Sequence, residues 1–378
     1  MHGLVGNVRP YAWGSRTFLA ELQGRPAPTD QPEAEMWLGA HPGDPSTLRG
    51  HDGPASLADV IEADPAGQLG APVVEEFGPR LPYLVKVLAA SAPLSLQAHP
   101  DLAYARTAFA AQEADPSLPR NYTDANHKPE MLVALTEFQA LCGFRDPSVS
   151  ADVLESFGVP ALAPVVAALR TGPAGLAEAV RLLLSWPADD RASLVAAADT
   201  PLARGLAKGY PSDPGVLVAL LLNHVTLRPG EAIWMPAGNL HAYLEGAGVE
   251  IMAASDNVLR GGLTPKRVDV DELLRVLRFE VLADPILPAT EVAPGVSTWE
   301  VPIRDFRLYC LELSGTRPPT TVPAEGPRII LGVEGDAFVA EGHGTPVEIT
   351  PGTAAFAPAS AGPISAAGTG TIFVAAPA

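Results

Sequence analysis

At 378 residues the chain is longer than one hydrophobic core usually grows, which predicts two or three domains. Apolar residues make up 47% of it, enough for a folded soluble protein, while a formal net charge of -18 excludes broad attraction to nucleic acid or to an anionic membrane. No apolar run is long enough to span a bilayer, and the opening MHGLVGNVRPYAWGS lacks the pattern of a signal peptide, so the expectation is a cytoplasmic protein, as a monomer.

Residues 1–147 alternate short apolar runs with Gly and Pro, which predicts strands with few helices. LPYLVKVLAA and EMLVALTEFQALCGF are the clearest of these runs. In PLSLQAHP, Ser95, Gln97 and His99 alternate with Leu94, Leu96 and Ala98, so a strand there turns one polar face inward. In DANHKPEML, Lys128 and Glu130 share a face if the chain is extended, with Pro129 marking the start of a strand. Cys142 and Cys310 are far apart and outside any CxxC spacing, which excludes a disulfide framework and a thiolate metal site and predicts two buried small hydrophobes.

Residues 148–218 read as an all-helical insertion. Leu176, Val180, Leu183 and Leu184 form a helical stripe in GLAEAVRLLLSW, and GVLVALLLNHV continues the apolar helical pattern. Beyond it, Gly230, Pro236, Gly238 and His241 carry the spacing of the second metal motif of cupin jelly rolls. The strand that follows places His241, Tyr243 and Glu245 on one face. Val270, Leu273, Leu274 and Leu277 predict an amphipathic helix with Asp269 and Asp271 at its start. Residues 286–378 return to short strands in the manner of a jelly roll, and their one histidine, His343, reads as structural. The predicted architecture is therefore mainly β, with cupin-type jelly rolls (double-stranded β-helix) and an α-helical insertion. The predicted domains are a catalytic domain from 1–147 plus 219–285, the insertion at 148–218, and a C-terminal jelly roll at 286–378 without a metal site.

Gln97, His99, Glu130 and His241 form the candidate metal set. Two neutral imidazoles, an amide and one carboxylate leave a divalent ion one net positive charge and thus Lewis acidity. Zinc fits these nitrogen and oxygen donors, one Zn2+ per chain, and iron, cobalt and manganese accept the same ligand types.

Several segments carry a family resemblance: YAWGS, EMWLGAHPGDPS, LPYLVKVLAASAPLSLQAHPD, NHKPEML, GEAIWMPAGNLHAYL and VEIMAASDNVLRGGLTPK. Together they resemble the type I mannose-6-phosphate isomerases over residues 9–280. The resemblance implies a zinc enzyme of the cupin superfamily that interconverts mannose 6-phosphate and fructose 6-phosphate. It places the family's ligands on Gln97, His99, Glu130 and His241, and its catalytic arginine on Arg260. The helical insertion falls between HKPE and SDNVLRGGLTPK.

Aldose–ketose isomerisation moves a proton between C1 and C2, commonly through an enediol whose oxygens become negative. Arg260 and the metal can oppose that charge. The proton acceptor is a carboxylate, a histidine or the metal's water, so Glu250, Asp256, His127 and that water are the candidates, while Lys128 joins Arg260 among the candidate catalytic residues as a cation. No GxxxxGK[ST] loop exists, so cationic side chains must bind the phosphate. Lysine is scarce, only Lys86, Lys128, Lys208 and Lys266, and Lys86, Lys128, Lys266 and Arg260 are the local cations, with Ser95 as a hydroxyl donor. Lys86 lies on an apolar strand, where an inward ammonium is costly without an anionic partner. Trp13 and Tyr243 are candidate walls for the sugar. A non-haem iron cupin oxygenase and a non-catalytic sugar-phosphate-binding cupin are the alternatives, and the cation cluster argues against the oxygenase.

Overall fold

The computed structural model describes residues 1–50, 53–342 and 344–378, so the reading of His343 lies outside the described residues. Its frame is two antiparallel eleven-stranded sheets among those residues, with helices packed outside one of them, so the mainly β expectation holds. No described helix is long and apolar enough to cross a membrane.

One strand organises the first sheet. His241–Ala253 pairs over its first residues with Phe138–Phe144 and, at His241, with Gln97 of Leu96–Ala98. Over its second part it pairs with Tyr83–Ala90 on one side and Glu130–Ala134 on the other. The switch between the two sets of partners occurs at Gly246, beside a register irregularity between Tyr243 and Glu245. Gly246 has φ 121°, and a Cβ there would lie 2.6 Å from the Glu137 carbonyl oxygen, so only glycine suits the bend.

The irregularity reverses which residues face inward. Before it, His241 and Tyr243 point between the strand layers, while Ala242 and Leu244 join the apolar cluster that packs against the helices. After it, Glu250 turns inward opposite Lys86, while Val249 and Ile251 pack outward. Glu245 does not share the inner face as strict alternation predicts; it is exposed, because the added residue ends the period of two before reaching it.

Both outer faces of this sheet are covered. Leu96, Ala98, Leu141, Leu240 and Leu259 bury against helices between Pro147–Ser156 and Gly215–Ala219. Val85, Val87, Met131, Val133, Val249 and Ile251 bury against Ile329, Leu331, Phe356 and Phe373 of the second sheet. Each such side chain contributes about 1.5–3 kcal/mol. This double cover explains why Tyr83–Ala90 and Glu130–Ala134 are buried along their whole length. The second sheet is built from C-terminal strands, joined by His2–Val5, which pairs with Ala354–Ala357, while Asn7–Arg9 pairs with Glu35–Leu38 of the first sheet.

Three local expectations are corrected. The first 147 residues contain more helix than expected, above all Leu102–Ala114, which Asp101 caps by accepting from the Tyr104 N–H. Its alanine-rich surface buries only Ala105 and Gln112, so it shows no apolar stripe. GVLVALLLNHV is helical only over Gly215–Ala219 and then becomes the strand Leu222–Leu227, since a run apolar on every side fits either element when buried. Cys142 is buried as expected, but Cys310 is only half-buried. By contrast, the helix Val270–Val276 forms as predicted, with Asp269 accepting from the Glu272 N–H.

Gly246→Ala should destabilise the protein by about 2 kcal/mol, because it forces a side chain into a left-handed conformation against a carbonyl. Urea denaturation checks this, and an unchanged midpoint would show that the bend does not need glycine.

Candidate metal centre and active site

The inner face of the first sheet collects the polar residues that its outer faces exclude. His241 lies opposite Gln97, and Gln97 lies opposite Arg260 of Leu259–Gly262, so three residues share one side of three adjacent strands. His99 follows directly after Leu96–Ala98, and Glu130 opens the strand Glu130–Ala134. His99, Glu130 and His241 are all buried and offer ligand atoms within 4.8 Å of one another.

The hydrogen bonds orient both rings. His99 Nδ1 lies 2.6 Å from the Asn257 carbonyl oxygen and His241 Nδ1 lies 3.0 Å from that of Asn239, so each Nδ1 carries its proton and donates. The other nitrogen of each ring, Nε2, is left to face Glu130 Oε2, at 3.4 Å from His99 and 3.1 Å from His241. His99 Nε2 is buried without a hydrogen-bond partner. Two buried ring nitrogens and a carboxylate oxygen converging on one space are donor atoms that suit a divalent ion, and backbone carbonyls that fix the far nitrogen are the usual support for metal-bound histidine. The donor set therefore fits a divalent ion, and Gln97 stands on the same face.

Burial pushes the His99 imidazole down to about 4, which keeps it neutral. Burial opposes ionisation of Glu130 too, yet the Lys128 ammonium outweighs it and holds the carboxyl well below its ordinary range. Lys128 Nζ sits 2.8 Å from Glu130 Oε1, so Lys128 and Glu130 do share a face.

A second charged group lies deeper in the same sheet. Lys86 Nζ is 3.1 Å from Glu250 Oε2 and 3.6 Å from Glu35 Oε1, and it stands over the Trp37 ring. Tyr243 donates to Glu250 Oε1 at 2.8 Å. Burial, then the nearby carboxylates Glu130 and Glu35, raise the Glu250 carboxyl despite Lys86. Burial works against the Lys86 charge, but Glu250 and Glu35 overcome it and raise the ammonium. Three buried carboxylates (Glu35, Glu130, Glu250) against two ammonium groups (Lys86, Lys128) leave one net negative charge. A divalent ion reverses it to one positive, and Arg260 adds another.

The other predicted residues are distributed as follows. Arg260 is half-buried and its side chain makes no hydrogen bond or ion pair among the described residues; burial lowers its pKa. Asp256 is exposed, with Oδ2 3.3 Å from His41 Nε2. His127 Nε2 lies 3.0 Å from both carboxylate oxygens of Asp305, which ties it to the C-terminal segment rather than to the three-residue cluster. Ser95 is half-buried, and Lys266 is exposed on a cavity of about 570 Å³ shared with Tyr210 and Asp213. Trp13 stacks on Tyr11 and packs against the apolar cluster containing Leu88 and Phe138. Sequence reasoning missed Glu35, Trp37, His41 and Asn257. Glu35 and Trp37 alternate with Met36 and Leu38, a signal that was available; Asn257 meets His99 through its backbone oxygen, which no residue type announces, while its buried side chain accepts from the Thr123 N–H and donates to the Asp124 and Asn126 carbonyl oxygens.

In chelator-treated protein, His99 titrates near 6.5 when unfolded and about 4 when folded. Between those values the unfolded chain binds the extra proton, so stability should fall as pH drops through this window, by on the order of 3 kcal/mol. Urea denaturation at pH 7 and pH 4.5 measures it. His99→Gln should flatten the dependence, and equal slopes in both proteins would refute the assignment.

Comparison with known proteins agrees with this geometry. Residues 1–147 match the family model "Phosphomannose isomerase type I, catalytic domain". The mannose-6-phosphate isomerase of Escherichia coli (strain K12) is 37% identical over 390 residues, covering 98% of both chains. The mannose-6-phosphate isomerase of Homo sapiens is 33% identical, covering 91% of this chain and 89% of the human one. Crystal structures of phosphomannose isomerase from Salmonella typhimurium superpose with a TM-score of 0.90 at 34% identity, covering 100% of this chain and 99% of theirs. A mannose 6-phosphate isomerase bound with zinc and yttrium matches over the same spans with a TM-score of 0.88. By sequence over its whole length and by fold, the chain belongs to the type I phosphomannose isomerases.

Proposed function

We propose that this chain interconverts mannose 6-phosphate and fructose 6-phosphate, using one zinc ion held by His99, Glu130, His241 and Gln97. The observation that carries this reading is the pair of buried imidazole nitrogens directed at one oxygen of Glu130, in a chain related over 98% of its length to a mannose-6-phosphate isomerase. Bound there, zinc supplies Lewis acidity toward a substrate oxygen.

The remaining chemistry belongs to this chain's own side chains. Arg260 projects from the strand beside Gln97 and presents a fork of donors to the oxygens that gain charge as the proton leaves carbon. With no side-chain partner of its own, its guanidinium is available to substrate. Glu250 carries the proton between C1 and C2. Its raised pKa suits a group that must both accept and return a proton, and Lys86 and Tyr243 each occupy one of its oxygens while leaving a second lone pair on each. Lys128 holds Glu130 in place and adds positive charge near the phosphate. Lys266 and Ser95 are the outer contacts for the phosphate, and Asp256 stands at the exposed side of the site. His127 supports this wall through Asp305, and Trp13 through apolar packing. The oxygenase and the non-catalytic binder lose support, because relatives across bacteria and eukaryotes are isomerases. We further assign the chemistry to the first sheet, with 148–218 and 286–378 as covering domains, in a cytoplasmic monomer.

Arg260→Ala and Glu250→Gln should each lower kcat by about 100-fold or more while a full equivalent of zinc is retained. His241→Ala should lose the zinc first. Metal analysis beside a mannose 6-phosphate turnover assay reads both quantities, and full turnover in Arg260→Ala, or full zinc in His241→Ala, would refute the corresponding role.

A further inference from the structure

Arg260 has no side-chain partner, so its aim depends on the backbone that carries it. That backbone is unusual. Leu263, three residues on, has φ 53° and is the one non-glycine residue with positive φ among the described residues. Its side chain is buried, so the conformation is held rather than sampled. A left-handed leucine is strained and persists only where its surroundings impose it. The ladder to Leu96–Ala98 is also irregular between Arg260 and Gly262, so strand pairing alone does not fix this segment.

The helical insertion provides the missing constraint. Asp213 sits just before the helix Gly215–Ala219, and its carboxylate bridges two separate segments. Oδ1 accepts from the Gly215 N–H at 2.7 Å and Oδ2 accepts from the Thr264 N–H at 3.2 Å. Beside this bridge the two backbones touch through glycines: a Cβ on Gly262 would lie 2.6 Å from Gly215 Cα, and one on Gly215 would lie 2.7 Å from Gly262 Cα. Thr264 and Gly262 flank Leu263, so the bridge and the glycine contact clamp the strained residue from both sides.

We propose that Asp213 is a positioning residue for the isomerase reaction: it latches the helical insertion to the 262–264 turn and thereby aims Arg260 at the substrate. The proposal rests on the reading that Arg260 acts in catalysis. It gives the helical insertion a part in the chemistry, although it supplies no member of the metal cluster. An aspartate suits the task because two carboxylate oxygens can receive two backbone donors at once, whereas asparagine offers one oxygen and turns its amide N–H groups toward the other donor.

The test measures kcat, KM, zinc content and thermal midpoint for Asp213→Ala, Asp213→Asn, Arg260→Ala and the Asp213→Ala/Arg260→Ala pair, in the full-length zinc enzyme. A misplaced guanidinium predicts a fall in kcat of about 10-fold to 100-fold in either Asp213 variant, with a full equivalent of zinc. In the Arg260→Ala background the same change should lower kcat by less than about two-fold, because the group being aimed is gone. A general structural role would reduce turnover by the same factor in both backgrounds. Gly262→Ala, which separates the backbones while leaving Asp213 in place, should reproduce the loss of kcat. Wild-type kcat in both Asp213 variants, or equal losses in the two backgrounds, overturns the proposal. Full turnover in Arg260→Ala alone would instead remove Arg260 from the mechanism, which is a separate result. Should Asp213→Ala fail to fold, Asp213→Asn and its pair with Arg260→Ala give the same comparison.

Discussion

Glu130 is a carboxylate kept almost entirely from water, and that placement is possible only because cationic and polar groups surround it. An isolated buried carboxylate would take up a proton, since the cost of desolvating its charge is several kcal/mol. Here Lys128 takes one oxygen, and the two imidazoles face the other. Each imidazole commits its Nδ1 proton to a backbone carbonyl, of Asn257 or of Asn239, and turns Nε2 to that second oxygen, where a divalent ion would join the three groups. The same need for balance runs deeper, to Lys86 between Glu250 and Glu35. Strands on opposite sides of the inner space must therefore stay in register, because a slip of one residue would leave a charge facing an apolar layer.

The rest of the fold keeps water away from this set of charges and holds it in register. The helical layer covers one outer face of the first sheet, and the C-terminal sheet covers the other. Since both outer faces are consumed by apolar packing, polar side chains can gather only on the inner one. The strand His241–Ala253 belongs to both halves of that inner surface, and its bend at Gly246 lets His241 at one end and Glu250 near the other face the same space. The covering layers also touch the active strands directly: Asp305 reaches His127 from the C-terminal side, and Asp213 reaches the turn after Arg260 from the helical side. A cover that forms such contacts constrains geometry as well as excluding solvent.

Much of this was legible before folding because period-two alternation is a local property. PLSLQAHP sorted Gln97 and His99 from Leu96 and Ala98 correctly, and Lys128 and Glu130 were placed on one face by the same rule. The strand-rich class, the helical segment and the Asp269-capped helix were likewise visible in spacing and composition. Alternation failed at Glu245, where a bulge adds one residue, and the rule has no means of anticipating a bulge. It failed again in GVLVALLLNHV, where every side is buried and no period remains to read.

The amino-acid order determined which side chains could share a face, where the charges that need partners lie, and hence that two histidines and a glutamate would seek one ion. Tertiary structure alone decided which partners they met: that Glu35 rather than solvent supports Lys86, that backbone oxygens of Asn239 and Asn257 orient the imidazoles, that His127 turns to Asp305, and that Asp213 holds the turn beyond Arg260. Apart from Asn239, a near neighbour of His241 in sequence, these pairings join segments far apart along the chain, and several use backbone atoms that every residue possesses. Their specificity arises from the distances fixed when the layers pack, and those distances are not a property of any local stretch of chain.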